Sequence, residues 1–185
     1  MRHSDVEKKL ISTFKSLLQK KPFEQITVQD IIEQASVSRA SFYRHYSDKY
    51  DLMNSIFVSG FKNIFFDKNI GEYIDGSSIE FFEFIKKNID YFQTVAKYTG
   101  QNCLFDSFFK EFYNYLCAIF LKQASPDALN KDMDYLIRFY AHGNVCILRE
   151  WIDSGAKEDP VVIFKCMNTS IPDPLKPYVN SDYFN

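Results

Sequence analysis

Residues 27 to 46, TVQDIIEQASVSRASFYRHY, hold two helix starts with space for nothing but a tight turn between them. Thr27 and Asp30 stand in the capping-box relation, and Ile26 and Ile31 occupy the two positions of a hydrophobic staple. Ser38 is a second N-cap, flanked by Val37 and Phe42 at the same staple spacing. One short helix therefore ends near Ala35, and another runs from Arg39 to about His45. Two short helices joined by a turn of three or four residues form a helix-turn-helix, whose second member can lie in the major groove of DNA.

The rest of the chain keeps the helical period. Ser4 and Glu7 open a first helix that carries Val6, Leu10, Phe14, Leu17 and Leu18 and runs to Lys20 ahead of Pro22. Ser47 caps a fourth, with Leu52, Ile56, Phe57, Phe61, Ile64 and Phe65 on its apolar side. Beyond Gly71, Ser77 and Glu80 open a segment that continues to Gly100 with a break near Asn88. A helix from Asn102 ends at Ser125-Pro126, one from about 131 to 153 ends at Gly155, and a last one starts near Pro160, a residue suited to the first helical position. Nothing alternates with period two over a useful length, so no strand is expected. The fold class is all-α, with about nine helices. Pro172, Pro174 and Pro177 exclude a helix at the end of the chain, while Tyr178, Tyr183 and Phe184 make that segment apolar enough to lie extended on the body, with fraying as the alternative.

Composition fits one compact domain or two small ones: 185 residues, 46% hydrophobic and 25% charged, with only 6 Gly and 6 Pro, which excludes disorder and collagen-like repeats. The net charge of −2 hides an asymmetry, because residues 1 to 50 carry nine Lys and Arg against six Asp and Glu, whereas the remainder carries thirteen against eighteen. The basic end coincides with the helix-turn-helix. Aromatic content is 17%, from 19 Phe, 12 Tyr and one Trp, and only six of these rings, Phe14, Phe23, Phe42, Tyr43, Tyr46 and Tyr50, precede residue 51. Cys103, Cys117, Cys146 and Cys166 are widely spaced, and with a polar, charged N-terminus in place of a secretory signal they read as buried reduced thiols of a cytoplasmic protein. No apolar run reaches the roughly 20 residues of a membrane span.

The first 55 residues or so resemble the DNA-binding domain of the TetR family of transcriptional regulators. The resemblance rests on Thr27-Val28 opening helix two, Ile31, the Ala35-Ser36-Val37-Ser38 turn, Phe42-Tyr43 in the recognition helix, Tyr46 closing it, and Lys49 with Leu52 starting helix four. Two positions depart from the usual pattern. Ser36 stands where a turn glycine is common, so the backbone either avoids positive φ there or carries a strain of roughly 1 kcal/mol; Tyr46 stands where Phe is usual. With Val37 and Phe42 facing inward, helix geometry exposes Arg39, Ala40, Tyr43 and Arg44. The arginines can reach a guanine edge or a phosphate, and Tyr43 and the hydroxyls of Thr27, Ser38 and Ser41 can bind phosphate oxygens. Lys49 is expected at a phosphate. The candidate DNA-binding set is Thr27, Val37, Ser38, Arg39, Ala40, Ser41, Tyr43, Arg44, His45 and Lys49; His45 lies beside the Phe42 face, where contact with DNA and packing are both open, and Tyr46 reads as a core ring.

The resemblance implies a DNA-binding domain over residues 1–50 and a helical ligand-sensing and dimerisation domain over 51–185. Tyr140-Ala141-His142-Gly143, Arg149-Glu150-Trp151-Ile152 and Gly155 look like the C-terminal region of a subset that includes activator-type regulators of dihydroxyacetone-kinase operons. In the family, two C-terminal helices pack against their copies, here 131 to 153 and 160 to 169, which gives a candidate interface of Leu136, Gly143, Ile147, Leu148, Trp151, Val162 and Phe164; the other reading places these side chains in the core of the single chain. Tyr98, Phe105, Phe109, Phe112, Tyr113, Tyr140, His142 and Cys146 could line a ligand pocket, or form a solid aromatic core. Some members of the subset act through a protein partner. Catalysis is not expected: His3, His45 and His142 are not spaced as metal ligands, no phosphate loop or nucleophile motif occurs, and the His142/Cys146 pair lacks an orienting partner. The expected partners are double-stranded DNA, a second copy of the chain and a small-molecule or protein effector, without membrane, cofactor or metal. A helical protein-interaction module that keeps the fold without specific operator binding is the alternative, motivated by the low overall basicity.

Overall fold

The computed structural model describes residues 3–67, 72–73 and 79–179, with side chains given over 5–66 and 79–179. The expected caps at Ser4 and Ser77, His3, and the rings of Tyr183 and Phe184 lie outside what is described. Nine α-helices are present among the described residues: α1 (His3–Leu18), α2 (Val28–Ala35), α3 (Arg39–Tyr43), α4 (Lys49–Phe65), α5 (Ile79–Lys87), α6 (Ile89–Ala96), α7 (Leu104–Gln123), α8 (Lys131–Asp153) and α9 (Pro160–Thr169). Short 3-10 turns stand at Phe23–Gln25 and Pro126–Ala128. The fold is all-α apart from one small correction: β1 (Phe66–Asp67) pairs antiparallel with β2 (Glu72–Tyr73), Phe66 opposite Tyr73. Strands of two residues are too short to leave a period-two signal.

Helices α1 to α3 and the start of α4 form a head around Leu10, Phe14, Ile26, Ile31, Ala35, Phe42 and Leu52, all fully buried. In the body, α7 packs between α4 and α8, α8 also touches α6, and α9 lies on α5. Its interior is ring on ring: Phe57 and Phe108 have centroids 4.0 Å apart, Phe61 and Phe65 4.6 Å, and Phe65 and Tyr115 5.0 Å. Such edge and tilted contacts are the favoured geometries for aromatic pairs. The break at Asn88 is present, and Pro160 occupies the start of α9.

Three boundaries differ from the sequence reading. Helix α3 ends at Tyr43, two residues early, and α4 is capped by Asp48, which accepts from the Asp51 amide, while Ser47 bonds the Asp51 carboxylate instead. The C-terminal segment is not extended. It curls through successive turns, with Lys176 N–H donating to Pro172 O and Val179 N–H to Leu175 O, because prolines that lack an N–H interrupt a helical ladder without preventing single turns. Ile171 and Leu175 are buried and the Tyr178 ring sits 4.6 Å from Phe120, so the segment through Val179 lies on the body. The thiols are unpaired but not uniformly buried: Cys103 is buried, Cys117 half-buried, and Cys146 and Cys166 are exposed. No described helix is long and apolar enough to cross a membrane.

Candidate nucleic-acid interface

The turn between α2 and α3 is built by side chains that satisfy helix ends. Thr27 Oγ1 accepts from Asp30 N–H at 3.1 Å and Asp30 Oδ2 accepts from Thr27 N–H at 2.7 Å, closing both halves of the capping box. The Thr27 hydroxyl also donates to Asp30 Oδ2, and Lys21 Nζ lies 2.8 Å from the same oxygen. Lys21 first, then Thr27, holds the Asp30 carboxyl far below the usual carboxylate range. At the other end of α2, Ser36 adopts φ 48° and ψ 48°, and Val37 N–H donates to Ile32 O at 3.1 Å in a Schellman closure. Of the two readings of Ser36, the strained one holds, at a non-glycine cost of about 1 kcal/mol.

Ser38 then caps α3, its Oγ accepting from Ser41 N–H at 3.1 Å. Phe42 is fully buried and anchors the helix, with Tyr43 edge-on at 5.3 Å and Tyr46 tilted at 6.0 Å. Arg39, Ala40, Tyr43 and Arg44 are exposed together. Arg39 stacks 5.5 Å from the Tyr43 ring centre and donates to its hydroxyl at 3.4 Å; Arg44 donates to Ser41 Oγ at 3.2 Å. Two guanidiniums and a phenol thus form one polar surface above an apolar anchor. Val37 is half-buried against the core, as its inward direction required. His45 is half-buried, its ring 6.2 Å from Tyr46.

Lys49 is held by the head itself. Its ammonium donates to Phe23 O at 3.1 Å, Glu24 O at 3.1 Å and Ile26 O at 2.8 Å, so all three of its N–H groups are taken up inside the head. A lysine at the N-terminus of a helix suggests a phosphate contact; the carbonyls left exposed by the Phe23–Gln25 turn compete for it and hold it here.

The residues expected at a ligand pocket are spread over several places. Tyr98 lies against the head, 4.9 Å from Phe23. Phe109 stacks between His142 at 4.0 Å and Tyr113 at 5.8 Å on the α7/α8 surface, where Tyr113 donates to Asp134 and Arg138 lies over its ring. Phe112 meets Tyr140, which is buried, donates to Met167 O, and has its phenol pushed up to about 12 by desolvation first of all. Phe105 lies under Arg149, and Cys146 faces outward toward Glu150. Two surface clefts among the described residues lie elsewhere, one between α1 and the α5–α6 junction and one along α4.

The expected interface set divides as well. Leu148 and Trp151 belong to the core of the single chain: Trp151 is 2% exposed, meets Phe82 edge-on at 5.7 Å and donates to Glu158 O. Leu136 and Phe164 are half-buried, whereas Gly143, Ile147 and Val162 face outward. Beside them stand three apolar residues that the sequence reading missed, Tyr135, Phe139 and Val161, with Phe139 82% exposed. The signal was present, since 135, 139, 143 and 147 follow one another at i, i+4 and must share a helix face.

Comparison with known proteins agrees with this architecture. The model of bacterial regulatory proteins of the tetR family matches residues 10–56, and that of a transcriptional regulator C-terminal region matches residues 72–173. The HTH-type dhaKLM operon transcriptional activator DhaS of Lactococcus lactis subsp. lactis (strain IL1403) is 31% identical over 70 residues, a stretch that spans 37% of this chain and 37% of that protein. A solved structure of a dihydroxyacetone kinase operon activator DhaS superposes with a TM-score of 0.64 over 95% of this chain and 98% of its own, at 18% identity, which speaks to the fold. With its helix-turn-helix and more than half of its length matched by these family models, the chain belongs to the TetR family of transcriptional regulators.

Proposed function

We propose that the protein binds a near-palindromic DNA operator as a homodimer and is controlled by a ligand or protein partner acting on its C-terminal domain, with residues 1–50 reading DNA and 51–185 sensing and pairing. The observation that carries this reading is the shared exposure of Arg39, Tyr43 and Arg44 on a helix fixed from beneath by Phe42. Ser38, Ser41 and the N-terminus of α3 add donors for phosphate oxygens, while Thr27 acts as the cap that sets the angle of α2. The stripe Tyr135, Phe139, Gly143 and Ile147, with Val161 and Val162 of α9, supports pairing with a second copy; Gly143 has open space above its Cα, which permits close helix approach. A dimer presents two recognition helices one DNA turn apart, and a signal in the body acts by changing their separation. The protein works as a cytoplasmic regulator without catalytic activity. The Lactococcus lactis relative is an operon activator, which makes activation of a neighbouring operon the first direction to examine.

The test is binding to promoter-region DNA from the protein's own locus, titrated against salt. Specific binding is expected to weaken steeply with salt, and Arg44→Ala or Tyr43→Ala should cost about 1–3 kcal/mol of affinity. Weak binding without sequence preference at every salt concentration would favour a protein-interaction module instead.

A further inference from the structure

Three rings and one ammonium meet where the body touches the head. Phe23, from the turn before α2, lies 5.3 Å from Tyr50 of α4, and Tyr98, from the loop between α6 and α7, closes the triangle at 4.9 Å from Phe23 and 5.4 Å from Tyr50. The Lys49 ammonium sits against two of these rings, 4.6 Å from Phe23 and 5.5 Å from Tyr50, while its three donors hold the carbonyls of Phe23, Glu24 and Ile26. The turn that leads into α2 is thereby fixed to the first turn of α4 by one side chain. Tyr98 covers that clamp from the body.

The loop that carries Tyr98 is itself tied to both sides. The Tyr98 hydroxyl donates to Gln101 O at 3.1 Å. Asn54 of α4 donates to Asn102 O at 3.0 Å, where Asn102 adopts a positive φ of 56°. Gly100 leaves no room beside the ring: a Cβ there would run into the Tyr98 phenol. The loop is shaped to hold one aromatic side chain against the base of the head.

We propose that Tyr98 is a positioning residue for DNA reading: from the body it locks the Phe23–Lys49–Tyr50 clamp, and so fixes the orientation in which α2 and α3 are held on α4. The proposal rests on the reading of the protein as an operator binder. It gives Lys49 an internal duty in place of a phosphate contact and ties the state of the α6–α7 loop to the head.

The test uses the full chain with Tyr98→Ala, Tyr98→Phe and Gly100→Ala, read in two ways. In DNA binding, Tyr98→Ala should lower operator affinity about tenfold, with the slope of log affinity against log salt unchanged, since no phosphate contact is removed. Tyr98→Phe, which keeps the ring, should bind within about threefold of the wild type, and Gly100→Ala, which displaces the ring without removing it, should reproduce the loss at least in part. In hydrogen exchange without DNA, the Gln25 and Ile26 amides should exchange faster in Tyr98→Ala while those of α7 and α8 keep their wild-type rates, which separates a loosened clamp from a general loss of stability. Affinity of Tyr98→Ala within twofold of the wild type, or a reduced salt slope, would overturn the proposal. So would unchanged exchange at Gln25 and Ile26. If the wild-type protein binds no operator, the functional reading fails by itself, and the exchange measurement still decides whether the clamp exists.

Discussion

The head buries a small set of aliphatic and aromatic side chains and places its polar groups at helix ends: Thr27 with Asp30, Ser38, and Asp48 each close a turn. The body does the reverse. Its interior is dominated by phenylalanine and tyrosine rings that touch across α4, α5 and α7, while its polar groups mostly decorate the surface of α7 and α8. The comparison shows two ways of specifying a helical fold. Caps and one left-handed residue fix backbone directions over a few residues, so the head manages with a modest core; flat rings fix distances between helices, so the body depends on packing. The body is also where the largest effects of substitution should fall.

Trp151→Ala tests that dependence most severely. Removing a fully packed indole that also donates to Glu158 O should cost about 3–5 kcal/mol in urea unfolding. A loss below 1 kcal/mol would place Trp151 outside the core. Phe139→Glu is the surface counterpart on the same helix: the side chain is 82% exposed, so the unfolding free energy of the isolated chain should change by less than about 0.5 kcal/mol, while sedimentation should show the mass halved. An unchanged mass would remove α8 from the interface.

These two residues also show how far sequence carries. Helix positions, the capping box at Thr27, the cap at Ser38, the break at Asn88 and Pro160 at a helix start were legible because each is decided by neighbours within four residues. The exposed face of α3 followed from the same local geometry. Which side of a long amphipathic helix is core and which is free was not legible for α8, because that helix is apolar on more than one face: Trp151 meets Phe82 of α5 and Leu148 is buried, whereas Phe139 is exposed. The contacts of Lys49 were not legible for a related reason, since its carbonyl partners lie more than twenty residues earlier in the chain. Tyr98 joins elements that only the tertiary fold brings together.

In the head, effects should be smaller and local. Ser36→Gly keeps φ near 48° while removing the Cβ penalty, so it should raise the unfolding free energy by up to about 1 kcal/mol, less the entropy that glycine returns to the unfolded chain. A decrease in stability would mean that the Ser36 side chain contributes something that the backbone geometry does not explain.

The smallest effect discriminates best between caps and packing, because it carries a pH signature. Asp30 is ionised and paired in the folded head, where Lys21 and Thr27 hold its pKa far below the ordinary value. A depressed folded-state pKa stabilises the protein at pH values above the unfolded aspartate value of about 3.9, and that stabilisation is lost as pH falls through and below it. The ion pair is partly exposed, so the charge itself should be worth only about 0.5 kcal/mol. Asp30→Asn keeps an acceptor for Thr27 N–H and removes the charge. The wild type should therefore exceed the variant by that small amount, constant from pH 7 to about pH 5. Below about pH 4 the gap should shrink as the carboxylate is protonated. Urea midpoints at four pH values decide it. A gap that persists undiminished at about pH 2 would show that the capping geometry, rather than the charge, holds the start of α2.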